Sequence, residues 1–255
     1  MSDLLVLCYH GVSEHWPAKL STTPERLESQ LATVVERGYR SITFSEAVSS
    51  APASSKTVAI TFDDGYRSVL EQALPILSRL GLVATVFVVT GYVGRDEPMR
   101  WPGVDHWLGS EHEHELVSLS REGASRLLDA GWEVGSHTRT HPHLTTLEDE
   151  RLGDELRRSR EDCEELFGRP CTSISYPYGD VDGRVVAAAS EAGYKFAGLL
   201  SSQLSNPRPL EWPRIGIYHR DNDARFRLKV SPAARRLRTT AAFGAADKLR
   251  YLLRR

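Results

Sequence analysis

The 255-residue chain has only three cysteines, Cys8, Cys163 and Cys171. So small and odd a number, with no CxxC spacing, excludes a disulfide framework and a cysteine-based metal site. Buried or idle thiols in a reducing compartment are the expected state. Long apolar runs are also missing, and no stretch approaches the ~18 residues of a membrane-spanning helix. The run Leu4-Leu5-Val6-Leu7-Cys8 has no basic segment before it and is too short for the apolar core of a signal peptide. The chain as written is therefore expected to stay in the cytoplasm. Charge of one sign is absent too: 32 Lys and Arg face 34 Asp and Glu, a net of −2, which gives no overall pull toward nucleic acid. There is no GxGxxG or P-loop pattern, no internal repeat and no inter-domain linker. With 40% hydrophobic and 26% charged residues, the chain has globular composition and the length to bury a substantial core.

What is present is an alternation of strand-like and helix-like segments. Leu4–Cys8, Thr57–Phe62 and Leu82–Val89 are apolar or β-branched runs typical of buried strands. Trp132–Val134, Thr172–Tyr176, Tyr194–Leu199 and Arg214–Tyr218 are shorter candidates. Between them, Pro24–Arg37 reads as a helix with Pro24 at its first position, Thr22 or Thr23 as cap and Gly38 as stop. Arg67–Leu80, Ser120–Ala130, Thr146–Phe167 and Asp182–Ala192 read as helices by their apolar periodicity. The stretch 91–115, rich in Gly, Pro, Trp and His, reads as an insertion or long loop. Such alternation predicts parallel βα units, of which six or seven would close a barrel. The expected fold class is α/β, one domain over 1–232 and a basic C-terminal tail, 233–255.

Polar clusters sit at the ends of the strand-like runs, the edge where α/β folds bind ligands. In Thr61-Phe62-Asp63-Asp64-Gly65-Tyr66, two adjacent carboxylates follow a buried strand, where they would repel unless a cation or proton intervened. A turn plus helix cap is the competing explanation. In Ser136-His137-Thr138-Arg139-Thr140-His141, two histidines four apart can face one metal, and Asp64 would complete a two-His, one-carboxylate set with open coordination positions. Solvated loop histidines are the alternative, and His143 reads as a spare. Tyr176-Pro177-Tyr178-Gly179 can wall a sugar site and aim a backbone N–H inward, though such turns are common in cores. His10, after the first strand, is either a structural histidine or a catalytic one.

Together these segments resemble the polysaccharide deacetylase family, also called carbohydrate esterase family 4 or the nodulation-type chitooligosaccharide deacetylase domain. TFDDGY at 61–66, SHTRTH at 136–141 and YPYG at 176–179 look like its three motifs in order, over roughly residues 4–220. The resemblance implies a distorted (β/α)7-type barrel and a metal-dependent deacetylase. In it Asp64, His137 and His141 would hold one divalent cation, zinc first, with cobalt, nickel, manganese or iron as alternatives. Asp63 would be the general base, the Tyr178 backbone N–H an oxyanion donor, and the substrate an N-acetylated glycan.

Two departures stand out. The family's third motif carries an Arg three residues before its Tyr, a place held here by Ser175. Arg214 is the candidate replacement as charge partner of Asp63, with a plain surface salt bridge as the other reading. The family's Leu-x-His motif has no convincing match near the C-terminal end, where Ile217-Tyr218-His219 comes nearest. Leu7-Cys8-Tyr9-His10 looks like that strand moved to the front, similar to the circularly permuted branch that acts on exopolysaccharides of the poly-N-acetylglucosamine type. His10 would then be the general acid. A non-catalytic sugar-binding relative and an amidohydrolase of small non-sugar amides are the rival functions.

The near-neutral total is a cancellation. Residues 233–255 hold seven basic residues and one Asp, a net of +6, leaving −8 on the remainder. A basic, weakly amphipathic tail suits peripheral contact with an anionic membrane. A solvated helix, or one docked on the acidic body, is the plainer expectation.

Overall fold

The strand Thr57–Phe62 is buried at all six positions, and Thr85–Val88 at all four. Strands covered on both faces are typical of the parallel sheet of an α/β fold. The computed structural model describes residues 3–51, 55–201, 203–240 and 243. Its barrel has seven strands: β1 (Leu4–Tyr9), β2 (Thr57–Phe62), β3 (Thr85–Val88), β4 (Glu133–Ser136), β5 (Ser173–Ser175), β6 (Phe196–Leu200) and β7 (Trp212–Gly216). β1 pairs with β2 from Leu4↔Thr57 to Tyr9↔Phe62 and with β7 at Leu7↔Ile215 and Cys8↔Gly216, which closes the ring. Every pairing in it is parallel, so all seven carboxyl ends meet at one rim. The (β/α)7-type barrel expected from the sequence is the fold observed.

Helices cover the outside: α1 (Pro24–Glu36), α2 (Phe44–Ser49), α3 (Leu74–Arg79), α4 (Arg121–Asp129), α5 (Asp149–Phe167), α6 (Gly183–Glu191), α7 (Asp223–Lys229) and α8 (Pro232–Leu237). Thr23 caps α1 by accepting from the Arg26 N–H, with Pro24 at the first position, as the sequence indicates. The helix read over Arg67–Leu80 is not continuous. Val69–Ala73 forms a π-type turn before α3, where Pro75 lacks the N–H a regular ladder needs. Sequence periodicity passed over α2, too short for a stripe, although Thr43 and Glu46 form a full capping box. It also passed over α7, whereas α8 falls at the start of the tail that the sequence reads as helical.

The stretch 91–115 has no strand, yet it is anchored. Met99, Trp101 and Val104 are buried in the main core. Of the tail, α8 docks at the amino-terminal end of the barrel, where Arg235 donates to Asp3 (2.9 Å), to the Leu4 carbonyl (3.0 Å) and to the Tyr39 hydroxyl (3.1 Å). Most of the membrane-contact reading falls on 241–242 and 244–255, which lie outside the described residues. Among those described, no helix is long and apolar enough to cross a membrane.

Candidate functional site

The chemistry-bearing residues follow the carboxyl ends of different strands. His10 follows β1; Asp63 and Asp64 follow β2; His137 and His141 follow β4; Tyr178 follows β5. Closure of the barrel brings them to one rim, and all but Tyr178 are buried there. Solvated loop histidines are thus excluded for His137 and His141, which are 2% and 5% exposed. The local backbone is forced into this arrangement. Asp64, Thr138, His141 and Tyr178 all adopt positive φ of 60–70°, a left-handed conformation that costs non-glycine residues ~1–3 kcal/mol and clusters at functional sites.

Asp64, His137 and His141 each offer a ligand atom within 4.8 Å of the other two. His137 Nε2 lies 3.3 Å and His141 Nε2 3.4 Å from Asp64 Oδ1. The His137 Nδ1 is 2.7 Å from the Ser175 carbonyl. A carbonyl only accepts, so Nδ1 carries a proton; Nε2 then either donates a second proton to Asp64 in the charged ring or offers its lone pair to a cation in the neutral one. Asp64 Oδ2 is buried with no hydrogen-bond partner among the described residues. Two imidazole nitrogens and one carboxylate with an orphaned oxygen are a donor set a divalent transition metal takes, so these residues fit one. Burial pushes the Asp64 carboxyl up, but the hydrogen bonds of His137 and His141 outweigh it and hold it well below the ordinary range.

Asp63 has different company. Arg214, fully buried, grips it with both terminal nitrogens, Nη1 to Oδ1 and Nη2 to Oδ2, each at 2.7 Å. The surface salt-bridge reading of Arg214 is thereby replaced by a buried bidentate pair. Ser175 Oγ donates to Asp63 Oδ2 at 2.9 Å while accepting from Arg214 at 2.7 Å. The Cys8 thiol adds a weak bond at 3.3 Å, and Thr61 Oγ1 accepts from Arg214 at 2.9 Å. Burial raises Asp63, but the Arg214 and His137 charges more than offset it and keep it ionised. His10 has ring nitrogen reach to this side, its ligand atom lying within 4.8 Å of those of Cys8 and Asp63. Burial lowers its pKa below the ordinary value against the pull of Asp64 and Asp63. His219, the other histidine weighed for that role, lies instead against Ser21 at 3.5 Å.

A cavity of about 340 Å³ opens onto these groups. Trp16 and Leu20 line one side, Trp101, Val104 and Trp107 another, and Tyr178 and Leu200 a third. The stretch 91–115 thus walls the site. Trp101 stacks on His141 with centroids 4.2 Å apart, Trp107 packs edge-on against Trp16, and the Tyr178 hydroxyl donates to the Pro102 carbonyl at 3.1 Å. His143 stacks on Tyr178 at 3.9 Å, so the spare histidine supports the aromatic turn. Sequence reasoning missed Cys8 and Ser175 as partners of Asp63 and the Trp16–Leu20 wall. Their only signal was a place beside strand ends already marked by other residues.

A closed seven-stranded parallel barrel with this carboxylate and histidine set on its carboxyl rim defines a protein of the polysaccharide deacetylase type. The family model of that description, polysaccharide deacetylase, matches residues 50–197, more than half of the chain, and the chain belongs to this family. The match spans β2 to the start of β6; His10 and Arg214 lie outside it. The chain is 28% identical over 248 residues to the Bacillus subtilis (strain 168) protein YxkH, which bears a polysaccharide deacetylase name, with 96% of this chain and 76% of the relative covered. It is 24% identical over 211 residues to a poly-β-1,6-N-acetyl-D-glucosamine N-deacetylase of Staphylococcus aureus (strain MRSA252), covering 77% of this chain and 68% of the relative. IcaB from Ammonifex degensii shares the fold, with a TM-score of 0.74 at 22% identity over 92% of this chain and 98% of that one. So does the Streptococcus pyogenes deacetylase PplD, at the same score and identity over 90% and 98%.

Proposed function

We propose that the chain is a metal-dependent hydrolase that removes acetyl groups from the N-acetylated sugars of a polysaccharide or glycan precursor. The observation that carries this reading is the pair of adjacent buried carboxylates with separate partners: Asp64 turned toward two histidines, Asp63 gripped by Arg214. Asp64, His137 and His141 would hold the cation, zinc being the first choice for two imidazoles and a carboxylate. Bound there, a divalent cation supplies Lewis acidity and brings the pKa of water from 15.7 toward ~7.

The chain's own residues supply the rest. Asp63, ionised and fixed by Arg214, Ser175 and Cys8, takes the proton of the attacking water as its oxygen adds to the acetamide carbon. The Tyr178 backbone N–H, on a turn held by positive φ, donates to the oxyanion; one such donor is worth ~3–4 kcal/mol. His10 gives a proton to the departing amine, leaving acetate and a free amino sugar. The apolar wall of Trp16, Trp101 and Leu200 excludes bulk water around the reacting amide. The polysaccharide named for the Staphylococcus aureus relative supports an exopolysaccharide of linked N-acetylglucosamine as substrate, and β1 carrying His10 beside β7 suits the permuted arrangement that the resemblance implies.

Acetate release from a panel of acetylated glycans, with and without chelator, tests the proposal. Asp63→Asn should reduce turnover to background while metal content stays at wild-type level. Full activity in Asp63→Asn, or acetate release indifferent to exhaustive chelation, would overturn it. A non-catalytic relative would bind glycan without releasing acetate, and a small-amide hydrolase would turn over ring amides but no glycan.

A further inference from the structure

His137 and His141 face the same carboxylate but are held in different ways. His137 is fixed through its ring, by the Nδ1 bond to the Ser175 carbonyl at 2.7 Å. His141 Nδ1 is buried without a hydrogen-bond partner among the described residues, so nothing polar orients that ring from behind. Its direction depends on its backbone and on the Trp101 stack. That backbone is under strain, with Thr138 at φ 67° and His141 at φ 60°, and such conformations persist only where the surroundings over-determine them.

The Thr90 and Gly91 N–H groups hold this turn from one side, donating to the Thr138 and Arg139 carbonyls at 3.0 and 2.9 Å, and Glu155, on α5, holds it through the turn's own N–H groups. Its Oε1 accepts the Arg139 N–H at 2.8 Å and the Thr140 N–H at 2.5 Å. The Thr140 hydroxyl lies 3.2 Å from Oε1 and 3.1 Å from Oε2. One carboxylate thus gathers both backbone N–H groups between the two left-handed residues, a job for an acceptor-only group. Seven residues on along α5, Asp162 accepts from Arg139 Nε at 3.1 Å and from Thr90 Oγ1 at 2.9 Å, which ties the same turn to the end of β3. The turn closes on itself through His141 N–H to Thr138 Oγ1 at 3.1 Å.

We propose that Glu155 is a positioning residue for the cation site: it orients His141 through the backbone, as the Ser175 carbonyl orients His137 through the ring. The proposal rests on the reading that Asp64, His137 and His141 hold a divalent cation. Partners that orient metal ligands from behind typically carry 10- to 100-fold in metal affinity. Glu155→Ala should weaken the site by that factor. Glu155→Gln should fall between it and the wild type, because its amide oxygen still accepts the two N–H groups.

The test is Co2+ titration of the metal-free 255-residue chain, read by the cobalt absorption bands and by calorimetry. Wild type, Glu155→Ala, Glu155→Gln and Cys163→Ala are compared, with circular dichroism and Tm measured for each. Cys163 is buried on the same helix, so its truncation destabilises α5 without touching the turn and should leave the Co2+ affinity unchanged. Wild-type affinity in Glu155→Ala overturns the proposal. So does an equal loss of affinity in Cys163→Ala at matched Tm, which would mean that any weakening of α5 suffices. If Glu155→Ala does not fold, the same affinity in Glu155→Gln as in wild type overturns it. Failure of the underlying reading looks different: the wild type itself then binds no stoichiometric Co2+, or binds it unchanged after Asp64→Asn.

Discussion

Asp63 and Asp64 are neighbours in the chain and opposites in their surroundings. The turn to positive φ at Asp64 breaks the strand's alternation and sends the two carboxylates to separate partners, one a guanidinium and the other a pair of imidazoles. Their motif was legible because adjacent acids after a buried strand have few plain explanations, and the same holds for two histidines four apart. What the motifs did not contain was the protonation balance. Burial lowers His141 to about 4 and lowers His10 below its ordinary value. In the unfolded chain both titrate near ~6.5. Between those values the unfolded state binds more protons, so metal-free protein loses stability as pH falls. At ~1.4 kcal/mol per unit, His141 alone is worth ~3 kcal/mol. His137 opposes this: burial would lower it, but Asp64 and Asp63 raise it above the ordinary value, so its contribution is full below ~6.5 and is lost as pH rises through the folded value. The large downward shift of His141 sets the expected direction. Thermal unfolding of chelator-treated protein should show a lower Tm at about pH 4.5 than at about pH 7, and a Tm that holds steady or rises toward acid would contradict this assignment of charge.

At the scale of elements, the long periodic segments were readable and their neighbours were not. Patterning gave α1, α4, α5 and α6 within a few residues, because each has an amphipathic stripe and a stop. It blurred α3, where Pro75 and a π-type turn interrupt the period, and it missed α2, whose evidence is a cap rather than a stripe. The Arg214 question was undecidable for a similar reason. A motif is read along one strand, while the partner of Asp63 arrives from another, two places round the barrel. The room for it is made by β6. A Cβ on Gly198 would stand 2.6 Å from Arg214 Nε and 2.9 Å from its Cδ, so glycine is needed there for the guanidinium to pass. Gly198→Ala should push Arg214 off Asp63 and lower kcat by about 10²-fold, the scale expected of an ångström-sized misplacement, while Co2+ affinity stays near wild type. Unchanged kcat in a folded Gly198→Ala would show that the bidentate grip is dispensable.

Over the whole molecule, closure of the ring is what converts scattered motifs into one centre. β1 lies between β2 and β7, so residues more than 200 positions apart in sequence, Cys8 and Arg214, meet on the same carboxylate. The sequence carried the strand–helix alternation that makes such a ring possible. It carried no sign of how the 91–115 stretch would fold back, because that stretch has no period and is placed by tertiary contacts alone. Its placement has a further consequence. Held against Trp16 on one side and Tyr178 on the other, it leaves a cavity of about 340 Å³, near the low end of the ~300–1,000 Å³ usual for small-ligand sites. That is room for one acetylated ring and part of the next. Each acetyl group should then cost a separate encounter. Mass spectra taken early in the digestion of an acetylated hexamer should show singly deacetylated product accumulating first, with fully deacetylated chains appearing only after the starting material is spent.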